Sequence, residues 1–287
     1  MSTLLAVPNI SEGRDRRSIA AIAAAFEAGG AELVDTHSDP DHNRTVLTLA
    51  GAGEVLIESL LAGAARTIEL LDIGGHRGAH PRVGVLDVVP IVHLRPQGRG
   101  AACAAALTVG DRLGDELQLP VFLYGALSGG RVTRAALRAG GAEALRARIE
   151  SGELRPDFGP RLFHPSAGAA LVAARAPLVA FNVELAPPAT VETARAIAGL
   201  IREGGAEGLT GVRAIGLDLP ARGTTQISTN VEDHRATPLA VLVAAISRHA
   251  TPLRAELVGL APAAAFDGFP ADLEVANRRH LEDVLSD

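Results

Sequence analysis

Residues 72–87, DIGGHRGAHPRVGVLD, hold the densest group of side chains able to do chemistry. His76 and His80 are four apart, with Asp72 and Asp87 flanking them. An imidazole titrates close to neutral pH, so it can accept a proton and return it within one turnover. Gly74, Gly75 and Gly78 permit unusual backbone angles and close ligand approach. A glycine-rich connection anchored between a helix and a strand is a usual place for catalytic residues. A pair of histidines four apart also binds metal when both project from one helix. Gly78 and Pro81 argue against a helix here. The same spacing also fits two solvated loop histidines.

Three further clusters carry polar groups that a ligand could use. DTHSDPDHNRT (35–45) contains His37, His42, Asn43 and Arg44, although its turn formers could simply cap a loop. RPDFGPRLFHPSAG (155–168) is too rich in Gly and Pro for regular structure, and long irregular loops in compact chains are usually functional. AFNVEL (180–185) and TTQISTN (224–230) place Asn182 and Asn230 near strand ends, where they fix substrate polar groups or satisfy turns. Arg175 can hold a carboxylate through its guanidinium fork or lie on the surface.

The elements that must position these clusters read as a repeated order. Strand patterns at 4–7, 31–35, 45–50 and 83–92 alternate with helical patterns at 18–28 and 55–71, followed by a helix at 101–117 and a strand at 121–124. The HSDPDHNR segment reads as a loop between two strands. Residues 126–168 read as irregular, with short helices near 133–139 and 141–150. After Pro177 the order restarts, with strands at 178–184, 212–219, 226–231 and 256–260 and helices at 191–203 and 238–249. The expected class is therefore α+β, with two consecutive ferredoxin-like (βαββαβ) subdomains. Each would have an antiparallel or mixed sheet with helices on one face. The expected boundaries are 1–177 and 178–287, with a ligand cleft between the two.

Composition excludes several classes. The chain has 287 residues, 47% hydrophobic and 21% charged, which is incompatible with global disorder. All 27 basic residues other than histidine are arginine, so no lysine Schiff base can form. The net charge of −6 and the absence of a basic run argue against nucleic acid as a partner. Cys103 stands alone in an alanine-rich helical stretch and cannot build a disulfide framework. No apolar run approaches the roughly 20 residues of a membrane span. The first residues lack the basic start of a signal peptide, so a cytoplasmic location is expected.

Taken together, these segments resemble the formimidoyltransferase family: glutamate formimidoyltransferase and the transferase half of formimidoyltransferase-cyclodeaminase. The matching stretches are VPNISEGR (7–14), DPDHNRTVLTLAG (39–51), HRGAHPRVGVLDVVP (76–90), PVFLYG (120–125), PDFGP (156–160), LVAFNVEL (178–185), QISTNVED (226–233) and ELVGLAP (256–262), in family order. The resemblance implies transfer of the formimino group from N-formimino-L-glutamate to tetrahydrofolate, acting as co-substrate. It also implies a homodimer with no required metal and a separate cyclodeaminase acting downstream. The family's catalytic histidine falls on His80. Its folate loop falls on Gly159, Pro160, Arg161, Leu162, Phe163, His164, Pro165, Ser166, Ala167 and Gly168. Asn43 and Asn182 are expected substrate contacts. Charge logic adds Arg44, Arg82 and Arg175 for the carboxylates.

Two positions depart from the family pattern. Ala79 stands where the family commonly has glutamate, so proton transfer would be less efficient or Asp72 or Asp87 would have to orient the histidine. Ala167 stands where animal members carry a tryptophan, with Phe163 and His164 as replacements for the lost ring. Two alternatives follow. One is a diverged enzyme acting on another amidine and amine pair, including a metal-dependent hydrolase built on His37, His42, His76 and His80. The other is a non-catalytic folate-binding paralogue.

Overall fold

The first segment of the chain makes one strand interrupted at a proline. In the computed structural model, which describes residues 3–285, Leu4–Ala6 (β1) and Asn9–Ile10 (β2) lie between the same two neighbours. Pro8 has no amide to donate, but its carbonyl still accepts from Leu47 at 3.0 Å, so the ladder continues past the break. Helix α1 (Arg16–Ala28) starts where the Asp15 side chain accepts from the Arg17 amide, and it buries Ile19, Ile22 and Phe26. Then follow β3 (Glu32–Asp39), β4 (Arg44–Gly51), α2 (Gly53–Leu70), β5 (Leu86–His93), α3 (Arg99–Glu116) and β6 (Val121–Leu123). Two short helices, α4 (Arg134–Arg138) and α5 (Gly141–Glu150), lead to β7 (Ala170–Arg175). The sheet order is β3, β4, the β1–β2 pair, β5, β7, β6. Pairing is antiparallel except at β7, which runs parallel to both β5 and β6.

Three sequence expectations change here. Half of the HSDPDHNR segment is strand, with Ser38 opposite Thr45 and Asp39 opposite Arg44. Turn chemistry is confined to residues 40–43, where Asn43 takes a φ of 46°. Strand β7 was not expected at all. Ala170, Val172 and Ala174 join the core that includes Ile22, Leu60 and Ala106, while Leu171 and Ala173 join Leu137, Leu145 and Ile149. A strand buried on both faces shows no alternation, and alanine is a weak strand former. For the same reason the expectation of helices on one face fails in this unit. Helices α1–α3 cover one side of the sheet, and α4–α5 pack on the other against β7.

The chain divides into two compact units, Met1–Ala176 and Pro177–Asp287. The second contains β8 (Val179–Leu185), α6 (Val191–Ile201), β9 (Val212–Leu219), β10 (Thr224–Val231), α7 (Leu239–Ser247), β11 (Pro252–Val258), β12 (Val275–Ala276) and α8 (Leu281–Val284). Its sheet order is β12-β11-β8-β10-β9, antiparallel except for the β11–β12 pair. Thr190 and Thr193 form a reciprocal cap that starts α6. Phe181 on β8 meets Phe266 and Phe269 edge-on, with centroids 6.1 and 5.8 Å away. The strand expected at 256–260 begins four residues earlier, at Pro252. Among the described residues, no helix is long and apolar enough to cross a membrane.

Candidate functional site

The connection from α2 to β5 is a loop pinned at nearly every residue. Asp72 accepts from the Gly74 amide at 2.8 Å. His76 is buried and contacts the Asn43 carbonyl through Nε2 at 2.7 Å. A carbonyl only accepts, so that nitrogen carries the proton. Asn43 in turn accepts from the Gly13 amide and donates to the Arg77 carbonyl. The Arg82 guanidinium donates to the carbonyls of Gly78, His80 and His76, at 3.1, 3.3 and 2.8 Å. In this structure Asn43 and Arg82 thus act as staples of the loop. None of Gly74, Gly75 and Gly78 takes a positive φ. Gly78 is needed for proximity instead, because a Cβ there would sit 2.3 Å from the His42 carbonyl oxygen.

A loop held this tightly transmits a small change to its neighbours. Gly78→Ala must push the loop off the 40–43 turn and move His80, two residues later. If that ring moves by even 1 Å, a reaction depending on its position slows by about 100-fold. The melting temperature should fall as well. Steady-state kinetics beside a thermal melt check this, and unchanged values in both would show that the loop gives way without moving its histidines.

His80 is half-buried, and its Nδ1 contacts the Pro81 carbonyl at 2.8 Å. By the same donor logic Nδ1 carries the proton and Nε2 the lone pair. Burial pushes the imidazole well below its ordinary pKa, and the positive charges of Arg44 and Arg138, with His42, push it further. The ring is therefore a neutral base near pH 7. The His42 ring lies 5.7 Å away, centroid to centroid.

Behind this loop, Asp87 is fully buried. Its Oδ2 accepts from Arg44 Nη1 at 2.6 Å and from Arg138 Nη2, and its Oδ1 accepts from the Val83 amide at 2.9 Å. Burial opposes the ionised carboxylate, but Arg138 and Arg44 outweigh it and hold Asp87 below the ordinary carboxylate range. Burial lowers Arg44 to about 10, with the charges of Arg138 and Arg134 adding to the effect. Arg44 also donates from Nε to Asn9. Sequence reasoning missed Arg138, which arrives from a five-residue helix 51 positions away and carries no local signal.

The segment 159–168 adjoins the histidine loop. The Ile73 amide donates to Ser166, the Val85 amide to Ala167 and the Ala169 amide to Val83, at 2.8, 2.9 and 3.0 Å. Gly168, at φ 78°, pairs with Gly84, and a Cβ on it would sit 2.3 Å from the Val83 oxygen. His164 accepts from the Ala167 amide through Nδ1. Phe163 is buried under Arg146, and the Ala167 side chain is fully buried in the core, whereas Leu162 stands 66% exposed. Ala167 is thus a core position rather than a surface from which a ring could stack. Gly159, Pro160, Arg161 and Pro165 complete the segment. Arg175 ends β7 and donates to the Ala176 carbonyl. Asn182 is buried on β8 of the second unit.

Among the described residues, no three His, Cys, Asp or Glu side chains stand together as a metal-holding group. His37, His42, His76 and His80 form no such set, which does not favour the metal-dependent hydrolase. Residues 3–175 match the family model described as the formiminotransferase domain, N-terminal subdomain, and residues 180–267 match the formiminotransferase domain.

The chain belongs to the formiminotransferase family.

The chain is 40% identical over 269 residues to formimidoyltransferase-cyclodeaminase of Sus scrofa, an overlap of 89% of this chain and 49% of that protein. The chain therefore spans about half the length of the fused relatives it matches. It is 35% identical over 272 residues to glutamate formimidoyltransferase of Thermoplasma acidophilum, covering 91% of this chain and 89% of the relative. It is also 34% identical to glutamate formimidoyltransferase of Streptococcus pyogenes serotype M1, covering 90% and 89% respectively.

Proposed function

We propose that this protein transfers the formimino group from N-formimino-L-glutamate to tetrahydrofolate, with His80 as the general base and then the general acid. The observation that carries the reading is His80 itself, neutral and fixed as the Nδ1–H tautomer, in a chain whose family performs formimino transfer. The folate N5 lone pair attacks the formimino carbon, and the electrons of the C=N bond move onto the imino nitrogen. His80 Nε2 takes the proton from N5. It returns that proton to the glutamate nitrogen as the imino nitrogen's lone pair re-forms the C=N bond and the C–N bond to glutamate breaks. The products are L-glutamate and 5-formiminotetrahydrofolate.

The 159–168 segment, joined to the histidine loop by backbone hydrogen bonds, is the proposed folate-binding loop. The strand order β11-β8-β10-β9 supports a ferredoxin-like reading of residues 178–287 as the C-terminal subdomain. The order β3-β4-β1-β5 supports the same for the N-terminal subdomain, residues 1–177, extended by β7 and β6. A cytoplasmic homodimer that needs no metal, with a separate cyclodeaminase consuming its product, completes the proposal.

The pH dependence tests the base. His80 must be neutral to accept a proton, and its pKa in the folded protein lies well below 6.5. The acid limb of kcat/KM, which reports the free enzyme, should therefore fall below pH 6.5. Activity at pH 6.5 should stay close to its plateau. An acid limb centred above pH 7 would remove His80 from this role.

A further inference from the structure

Helix α4 presents two arginines one turn apart, Arg134 and Arg138, so their guanidiniums leave the helix on the same side. Arg138 reaches Asp87, and Arg134 lies over the ring of Tyr124, with Cζ 5.8 Å from the centroid. Tyr124 follows β6, and the turn after it is closed by the Gly125 amide on the Val132 carbonyl, which brings α4 back against the strand. Tyr124 and Leu137 share one apolar cluster.

Two donors in this corner have no acceptor. The Tyr124 hydroxyl and Arg138 Nε are both buried and make no hydrogen bond among the described residues. The Tyr124 residue is only 7% exposed, and the Arg138 side chain 10%. Buried polar groups are almost always paired, and one left unpaired calls for an explanation. Both groups ask for an oxygen acceptor. The charge balance asks for the same thing: Arg44 and Arg138 share one carboxylate, Asp87, whose two oxygens are already engaged by them and by the Val83 amide, and Arg134 adds its charge nearby, over Tyr124 and within reach of Arg44. The corner therefore carries more positive charge than Asp87 neutralises, which favours an anionic ligand.

We propose that Arg138, Arg134 and Tyr124 form the carboxylate subsite for the formimino donor and make the protein selective for a dicarboxylate amino acid over a monocarboxylate one. This rests on the transfer reading and names the part of the site that recognises glutamate. Arg138 and Arg44, joined through Asp87, both act on His80 by their charge, which places the subsite in the field of the histidine. A fork of arginine donors suits a carboxylate better than any neutral group, and a site built to bond an oxygen rejects the analogue lacking it.

Two variants of the whole chain test the proposal. Tyr124→Phe removes a hydroxyl that bonds nothing in the protein, so the melting temperature should not fall. The KM for N-formimino-L-glutamate should nonetheless rise about tenfold, and that in Arg138→Gln about 10- to 100-fold, as expected for a lost bond to a charged group. The KM for tetrahydrofolate should stay unchanged, because uniform loss of donor binding moves only the donor's KM. Discrimination against N-formiminoglycine should shrink by the same factors. Calorimetric titration with L-glutamate reads the subsite without turnover and should show the same weakening. If both variants leave donor KM and glutamate affinity unchanged, or raise the folate KM equally, the proposal is overturned. Absence of glutamate binding by the unaltered protein overturns it too. If the unaltered protein binds glutamate in an Arg138-dependent way but transfers nothing, the subsite stands and the transfer reading falls.

Discussion

His80→Ala is expected to lower kcat by about 10²- to 10⁴-fold, the range for removing a positioned general base, with KM values within a few-fold of the original. Position and protonation together make this ring the base. Nδ1–H is fixed by the Pro81 carbonyl, and burial, with the positive charges around it, keeps the ring neutral near pH 7. Neither Asp72 nor Asp87 supplies this orientation. Asp72 caps the Gly74 amide, and both oxygens of Asp87 are engaged elsewhere. A backbone carbonyl therefore sets the tautomer. His76→Ala is expected to be milder on kcat, because His76 holds the loop to the Asn43 carbonyl and its free nitrogen is buried. Single-turnover rates for both variants separate the roles. Equal losses in the two would mean that no single histidine carries the proton.

The largest expected loss of stability comes from Asp87→Ala. Removing this carboxylate strands the guanidiniums of Arg44 and Arg138 in a buried site and leaves the Val83 amide without its acceptor. Breaking a buried ion pair from one side costs about 3–5 kcal/mol, roughly 10 °C in Tm for a unit of this size. Glu69→Ala is the contrasting control. The Arg66–Glu69 pair spans one turn on the exposed side of α2, and exposed pairs contribute about 0–1 kcal/mol. Thermal melts of the two variants should differ by several degrees. A drop in Asp87→Ala no larger than that in Glu69→Ala would mean the buried network relaxes around the loss.

The parts of the fold legible in the sequence are those where one face is wet. Helices α1, α2 and α6 bury one stripe and expose the other, so their periodicity is plain from Ser18, Val55 and Val191 onward. Strand β7 was illegible because burial on both faces erases alternation and half of its residues are alanine. The end of β3 was hidden because Asp35, His37 and Asp39, all polar, are the buried positions, a pattern that reads as a turn. In the candidate site, the spacing of His76, Gly78 and His80 marked the loop. The engagements of Asn43 and Arg82 with loop carbonyls could not be read, since backbone partners are set by tertiary structure. Arg138 was equally invisible, because its partner lies 51 residues away.

The central claim is formimino transfer from a glutamate donor to a folate amine. The most direct test mixes the purified protein with N-formimino-L-glutamate and tetrahydrofolate, converts product to the methenyl form with acid, and measures its absorbance and released glutamate together. One glutamate is expected for each methenyl folate formed, at a rate that His80→Ala reduces by at least about 100-fold. Glutamate released without folate product, or folate binding without either product, would contradict it.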